Sequence, residues 1–201
     1  IGEKFNHFFI DEFQDTSELQ WENLVPLVTN TLAAENGSAM LVGDAKQAIY
    51  RWRGGRAEQF ISLYNNDTDL PFDAELSYLP TNYRSCKELV GFNNSFFKHL
   101  SSVAFSNQTY KELYQAPAQL EFTRKAGYVN ISFLEFAKGD DKPLLYATKV
   151  LQIINTYLDS DPDTKLKDIC VLVRKRKEGV AVANLLSQHA IDIVSSETLL
   201  V

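Results

Sequence analysis

The sequence has few cysteines and histidines and no long apolar run. Its two cysteines, Cys86 and Cys170, lie far apart without the spacing of metal ligands, so we expect ordinary thiols of a reducing compartment. The three histidines, His7, His99 and His189, show no mutual spacing that implies a metal. No stretch approaches the roughly 18 apolar residues of a membrane span, and no signal peptide opens the chain. The sequence therefore predicts neither a membrane protein nor a cysteine–histidine metal site.

An excess of basic charge is also missing. The 201 residues include 20 Lys and Arg against 26 Asp and Glu, for a net charge of −6. This balance argues against a uniformly basic nucleic-acid-binding protein and leaves room for a local basic stripe. The length suits one domain or two small ones. Because the chain starts at Ile1, without an initiator methionine and almost on a predicted strand, we expect a piece of a longer protein.

A short apolar run ends in two adjacent carboxylates near the start of the chain. The run 8–10 predicts a buried strand that delivers Asp11 and Glu12 to the carboxyl edge of a parallel sheet. There, one carboxylate can hold Mg²⁺, directly or through a water, while its neighbour polarises an attacking water. The alternative is an acidic turn in which Asp15 or Thr16 caps the next helix.

The following residues predict a β-α-β unit. Apolar residues recur at helical spacing at Trp21, Leu24, Val25, Val28 and Leu32. Asp15 and Glu18 have the spacing of a capping box, and Pro26 predicts a kink or two short helices. A second buried strand over 39–42 would complete the unit, with polar groups at the ends of both strands.

The segment from Gly43 to Gly55 carries two groups of candidate functional residues. Asp44, Lys46 and Gln47 follow a strand end, where they could face a bound phosphate. The second group starts at Tyr50, three residues after Gln47, and contains both aromatic and basic residues.

In that second group, Tyr50 and Trp52 alternate with Arg51 and Arg53. Aromatic faces beside guanidinium groups suit single-stranded nucleic acid, because bases stack on the rings and phosphates pair with arginine. The alternative is that the aromatic rings are buried anchors and the arginines are solvated.

The rest of the chain predicts further α/β structure. The expected elements are strands over 76–79, 127–136, 169–173 and 191–194, and helices over 85–100, 146–158 and 179–189. Tyr83 and Arg84, between a strand and a helix, could stack on a flat ring and reach a phosphate, or could be structural. The basic run 174–177 suits a solvated turn better than a contact to a nucleic-acid backbone.

Taken together, these segments resemble a known family of motors. The segments Asp11-Glu-Phe-Gln-Asp-Thr16, Val42-Gly-Asp-Ala-Lys-Gln-Ala-Ile-Tyr-Arg-Trp-Arg-Gly-Gly55 and Asn82-Tyr-Arg-Ser85 resemble motifs II, III and IV of superfamily 1 UvrD/Rep-type DNA helicases. Residues 168–174, with the tail 191–200, resemble the next segment, motif IVa. Order and spacing also match, and the Lys-Gln-Ala sequence of motif III is more similar to the RecB/AddA branch than to UvrD.

The resemblance implies an α/β fold that comprises parts of two RecA-like (P-loop NTPase) motor domains, with parallel sheets flanked by helices. Residues 1–75 would be the later part of the first domain, with motifs II and III. Residues 76–201 would be the early part of the second domain, with motifs IV and IVa. Within the latter, we expect 101–126 to be a loop-rich connection.

The resemblance also implies ATP and Mg²⁺ as cofactors and assigns residues to them. Asp11 would bind Mg²⁺ through a water, and Glu12 would be the base that orients the hydrolytic water. Gln47 would sense the γ-phosphate. Tyr83 would stack on adenine, and Arg84 would contact the γ-phosphate across the cleft as an arginine finger.

Further residues would join the nucleotide to DNA. Asp44 and Gln14 would belong to the nucleotide side, and Gln14 would help connect the nucleotide and DNA sites. Tyr50 and Trp52 would stack on bases of the tracking strand, and Arg53 would help shape that groove.

The resemblance implies that the parent protein is an ATP-dependent DNA helicase, 3′–5′ by analogy, in repair or recombination. DNA would be its substrate, and a nuclease or helicase subunit of an AddAB- or RecBCD-like complex would be its partner. Its location would be the bacterial cytoplasm, at the nucleoid. The 201 residues lack Gly-x-x-x-x-Gly-Lys-Ser/Thr and the family's motifs V and VI, so we expect this piece alone not to hydrolyse ATP.

The same residues suggest two alternative functions. The first is a non-catalytic nucleic-acid-binding module that retains helicase-like residues. The second is a nuclease metal site formed by Asp11 and Asp44, which is disfavoured because phosphodiester cleavage needs more clustered carboxylates than two strand ends offer.

Overall fold

The computed structural model describes residues 5–68, 70–72, 74–115, 118–123 and 125–195. The chain forms two compact units, one that extends to Asn130 and one that begins at Ile131. Each unit has its own helices and its own buried core. No helix in the described ranges combines the length and apolar character needed to cross a membrane.

The first unit opens with the predicted β-α-β unit. Strand β1 (His7–Ile10) and strand β2 (Ser38–Leu41) pair in parallel, with His7 opposite Ser38 and Ile10 opposite Leu41. Helix α1 (Glu18–Leu32) connects them. Parallel pairing requires such a crossover, and it brings the carboxyl ends of both strands to one edge.

The start of α1 differs in detail from the prediction. Ser17 is the N-cap: its hydroxyl accepts the N–H of Gln20, and the Gln20 side chain accepts the N–H of Ser17. The capping box is therefore Ser17–Gln20 and not Asp15–Glu18, because the chain first makes a short 3₁₀ turn over Phe13–Asp15. Pro26 lies inside one continuous helix, so the alternative of two short helices is wrong.

Two 3₁₀ turns and a helix follow β2. The turns span Ala45–Gln47 and Arg51–Arg53, and helix α2 spans Ala57–Tyr64. The core beneath the strand ends consists of four buried residues, Phe13, Trp21, Val28 and Leu63. This core contains the residue directly after the acidic pair, so packing fixes the turn that carries the carboxylates.

The later part of the first unit contains a second small parallel sheet. Strand β3 (Thr81–Cys86) pairs with strand β4 (Leu120–Thr123). Helix α3 (Lys87–Ala104) and helix α4 (Gln108–Gln115) connect them.

Two predictions for this region need correction, and a third falls outside the described residues. The strand expected over 76–79 is absent there, and the chain pairs only from Thr81 onward. The segment expected to be loop-rich contains α4 and β4, because β4 gains the ladder hydrogen bonds of a distant partner. The proline step of that segment, at 116–117, lies outside the described residues.

The second unit is built on two helices. Helix α5 (Lys142–Ser160) and helix α6 (Arg176–Gln188) enclose a core of Ala147, Leu151, Ile154, Val182 and Leu186. The predicted strands 127–136, 169–173 and 191–194 are not paired as strands in the described part of the chain. Their apolar side chains find no neighbouring strand to cover them, and Phe133 is 92% exposed and Leu172 90% exposed. The predicted tail beyond residue 195 lies outside the described residues.

Candidate nucleotide and nucleic-acid site

The acidic pair lies directly after β1. Ladder hydrogen bonds continue past the strand, from the Val42 N–H to the Ile10 carbonyl (2.8 Å) and from the Phe13 N–H to the Val42 carbonyl (2.9 Å). Between them, Oδ1 of Asp11 accepts the N–H of Glu12 at 2.9 Å. Glu12 has φ 50° and ψ 41°, the left-handed conformation that few non-glycine residues adopt. This sharp turn keeps both carboxylates exposed at the edge of the sheet.

The amide of Gln14 joins the two strand ends. Its Nε2 donates to Oε2 of Glu12 at 2.6 Å, and its Oε1 accepts the N–H of Asp44 at 3.0 Å. Gln14 is 1% exposed, so both ends of the amide are engaged away from water. At Gly43, a Cβ atom would lie 2.5 Å from this Oε1, and the absence of a side chain there lets the backbone approach the amide.

Asp44 is the third carboxylate of the edge, and it is already paired. Its Oδ1 lies 2.9 Å from Nζ of Lys46, and its Oδ2 accepts from Nε2 of Gln47 at 3.2 Å. Burial raises the pKa of Asp44, but the hydrogen bonds and charge of Lys46 and the hydrogen bond of Gln47 outweigh burial and hold the pKa below its usual value. Asp44 therefore orders the turn that carries Lys46 and Gln47.

The donor set fits a magnesium nucleotide better than a protein-only metal site. Oδ2 of Asp11 has no hydrogen-bond partner among the described residues, and Mg²⁺ is usually held by one or two carboxylates together with waters and phosphates. In the same described ranges, no three His, Cys, Asp or Glu side chains form a cluster for a metal ion. Asp11 and Glu12 are two adjacent exposed carboxylates, the ligand type that a hydrated magnesium ion takes from proteins.

The second group of candidates forms an exposed turn. Tyr50 and Trp52 have ring centroids 6.2 Å apart, and the guanidinium of Arg53 lies 4.4 Å from the Trp52 ring and 5.5 Å from the Tyr50 ring. Trp52 is 73% exposed, so the expectation that it could be a buried anchor is wrong. An exposed indole with a cation against it is a surface on which a base can stack.

Tyr83 and Arg84 lie on β3. No hydrogen bond or ion pair among the described residues joins either one to Asp11 or Glu12. The Tyr83 ring packs on Phe122 of β4, with centroids 4.6 Å apart, and both rings are exposed. The structure therefore has an acidic edge at the β1–β2 ends and an exposed aromatic pair on β3–β4.

Three residues that contact the candidate site residues were not predicted from the sequence. Phe122 pairs with Tyr83 across a sheet that was not predicted. Glu58 and Tyr110 contact Arg51 from α2 and α4. Tyr110 and Glu58 are 52 residues apart in sequence, so no local pattern indicates the contact between them. Its only signal would have been an aromatic residue on a helix predicted at the position of α4.

Comparison with known proteins identifies the family. Residues 1–68 match the model of the UvrD/REP helicase N-terminal domain, and residues 77–199 match that of the UvrD-like helicase C-terminal domain. The two matches together span almost all the described residues. The helices and the two parallel two-stranded sheets of the chain are consistent with parts of RecA-like helicase domains.

Similar curated proteins carry related names. The chain is 30% identical, over 71% of its length, to an ATP-dependent helicase/nuclease subunit of Ruminiclostridium cellulolyticum. It is 28% identical, over 92%, to the "Probable DNA helicase II homolog" of Mycoplasma genitalium, and 26% identical, over 98%, to the exonuclease/helicase subunit RexA of Lactococcus lactis. It spans only 12%, 24% and 17% of these three relatives. The chain belongs to the UvrD-like DNA helicase family.

Proposed function

We propose that this chain is part of an ATP-driven motor that moves along single-stranded DNA and unwinds duplex DNA in repair or recombination, with 3′–5′ polarity. The observation that carries the proposal is the buried Gln14 amide, which joins Glu12 to the backbone of Asp44. The Asp44 segment leads within eight residues to the exposed Trp52. Contacts thus run from the acidic edge to Asp44, and the backbone continues from there to Trp52.

On the nucleotide side, the cofactor supplies a phosphoryl group that water can attack. Asp11 holds Mg²⁺ through water, and Glu12 accepts a proton from the attacking water. Lys46 and Gln47, ordered by Asp44, face the phosphates, with Gln47 at the γ-phosphate. Gln14 and Asp44 keep the two strand ends in register.

Residues of the β3–β4 sheet complete the nucleotide site in the proposed motor. Tyr83 stacks on adenine, because its exposed ring offers a free aromatic face to a flat base. Arg84 contacts the γ-phosphate as an arginine finger, a role for which a fixed guanidinium fork is suited.

On the DNA side, Tyr50 and Trp52 stack on bases and Arg53 supplies the neighbouring cation. We expect Trp52→Ala to weaken binding of the 201-residue chain to oligo-dT by about 5- to 150-fold, since one base–aromatic stack is worth about 1–3 kcal/mol. Fluorescence anisotropy of end-labelled oligo-dT measures this. Trp52→Phe, which retains a ring, should lose less, and an unchanged affinity in Trp52→Ala would remove the stacking role.

The isolated chain is expected not to hydrolyse ATP. Its 201 residues contain no Gly-x-x-x-x-Gly-Lys-Ser/Thr loop, and backbone N–H groups of such a loop are what cradle the phosphates. Isothermal titration with ATP and Mg²⁺ should therefore show no binding in the micromolar range. Micromolar affinity would contradict this prediction and would require another phosphate-binding element in the chain.

The same family also suggests the domain division, the partner and the location of the whole protein. We propose that residues 1–75 belong to a first motor domain and 76–201 to a second, in line with family matches that end at 68 and restart at 77. Two of the relatives are named as helicase/nuclease or exonuclease/helicase subunits. By analogy, the partner of the whole protein is a second subunit of an AddAB- or RecBCD-like complex, acting on DNA in the bacterial cytoplasm at the nucleoid.

A further inference from the structure

Helix α4 packs on the segment between the acidic edge and the 3₁₀ turn Arg51–Arg53, here called the stacking turn. Its Leu113 is buried with Ala45, Ala57 and Ile61. Ala45 lies in the 3₁₀ turn after Asp44, and Ala57 and Ile61 lie on α2. The helix thus covers the residues on both sides of the stacking turn, although it lies in the part of the chain that matches the C-terminal helicase domain.

A three-residue contact extends from α4 to the stacking turn. The Tyr110 hydroxyl donates to Oε1 of Glu58 at 2.6 Å, and Nη2 of Arg51 donates to the same oxygen. Nη2 of Arg51 also donates to the Tyr110 hydroxyl at 3.3 Å. The hydrogen bond from Tyr110 and the pairing with Arg51 lower the pKa of Glu58, so the carboxylate is charged at neutral pH.

Arg51 is the first residue of the turn that presents Trp52. Its carbonyl accepts the N–H of Gly54 at 3.0 Å, and Gly54 has φ 86°, which favours glycine. Arg51 is therefore fixed by its backbone within the turn and by its guanidinium against Glu58. An exposed ion pair of this kind contributes little to the free energy of unfolding, so the effect of the contact is expected in the geometry of the turn.

We propose that Tyr110, acting through Glu58 and Arg51, is a positioning residue for the DNA-stacking turn. Tyr110 holds the Glu58 carboxylate, the carboxylate holds the Arg51 side chain, and Arg51 sets the direction in which Trp52 and Arg53 face. The inference rests on the proposed DNA-binding function of that turn. It gives α4 a role beyond packing, namely to set how the stacking residues are presented.

The test compares two pairs of matched variants in the 201-residue chain. Tyr110→Phe removes the hydroxyl that bonds to Glu58, and Tyr114→Phe removes a hydroxyl from the same helix. Glu58→Gln removes the carboxylate, and Glu112→Gln removes the same charge from α4, where, among the described residues, Glu112 bonds only to Gln108. For each chain, oligo-dT affinity, its salt dependence, the thermal midpoint and acrylamide quenching of Trp52 are measured. A Trp52→Phe chain gives the contribution of the other tryptophan, Trp21, for subtraction.

We expect Tyr110→Phe to lower oligo-dT affinity by about 3- to 10-fold relative to Tyr114→Phe, as the loss of one hydrogen bond of ordinary strength would do. Glu58→Gln should lower affinity relative to Glu112→Gln. The slope of log affinity against log salt should stay unchanged, because no phosphate contact is removed. In the DNA-free Tyr110→Phe and Glu58→Gln chains, acrylamide quenching of Trp52 should change. Their thermal midpoints should equal those of their control variants.

Three outcomes would overturn the inference. Equal affinity and equal quenching in Tyr110→Phe and Tyr114→Phe would show that the hydroxyl positions nothing. Higher affinity with a steeper salt slope in Glu58→Gln would show that Glu58 instead holds Arg51 away from a phosphate. If the unmodified chain fails to bind oligo-dT, the proposed function of the turn fails first, and the inference fails with it.

Discussion

Replacement of Glu12 by Gln is expected to lower the rate of ATP hydrolysis by the whole motor about 10²- to 10⁴-fold, the usual contribution of a positioned general base. The substitution keeps the size of the side chain and an oxygen that can accept from Nε2 of Gln14, which now lies 2.6 Å from Oε2. It removes only the capacity to accept a proton from water. Steady-state ATPase rates in the presence of single-stranded DNA measure the effect.

A matched control is Glu35→Gln, which makes the same chemical change at an exposed position after α1. Its ATPase rate should equal that of the unmodified motor. If Glu12→Gln also retained full ATPase activity, Glu12 would not be the base. If the unmodified parent protein itself lacked ATPase activity, the non-catalytic binding module would be favoured.

The second large effect concerns stability. Phe13→Ala is expected to lower the free energy of unfolding by about 3–5 kcal/mol, the usual cost of truncating a buried phenylalanine. Phe13 is 0% exposed and packs edge-on against Trp21, with ring centroids 5.0 Å apart, and against Phe60 at 5.6 Å. Urea unfolding followed by circular dichroism measures the change.

Phe9→Ala gives the matched control for this loss. Phe9 lies in the same unit but is 67% exposed, so its truncation should cost about 1 kcal/mol or less. A cost for Phe13→Ala no greater than that of Phe9→Ala would show that the turn after the acidic pair is not anchored by this ring.

The parts of the site that could be predicted are those fixed by short-range pattern. Asp11 and Asp44 each follow an apolar run, and parallel strands joined by one helix bring their carboxyl ends to a common edge. The nearness of the two acidic ends could therefore be inferred before any coordinates. The family match adds that this edge lies in the part of the chain that matches the UvrD/REP helicase N-terminal domain.

The parts that could not be predicted depend on distant partners. An apolar run such as 169–173 predicts a strand only if another strand lies beside it, and none is paired with it in the described part of the second unit. Conversely, Leu120–Thr123 becomes a strand because β3 is available to pair with it. The contact of Tyr110 with Glu58 has no local signal, since helix α4 must first be placed against α2.

The left-handed backbone of Glu12 also bears on how this chain would respond to engineering. Side chains with a Cβ atom are disfavoured at φ 50°, by an amount on the order of 1–3 kcal/mol for a residue held in such a region, whereas asparagine tolerates it better. A library ranked by thermal resistance alone would therefore enrich asparagine or glycine at position 12. The variants that survive heating best would be those that had lost the proposed proton acceptor, so selection at this position must include a catalytic readout.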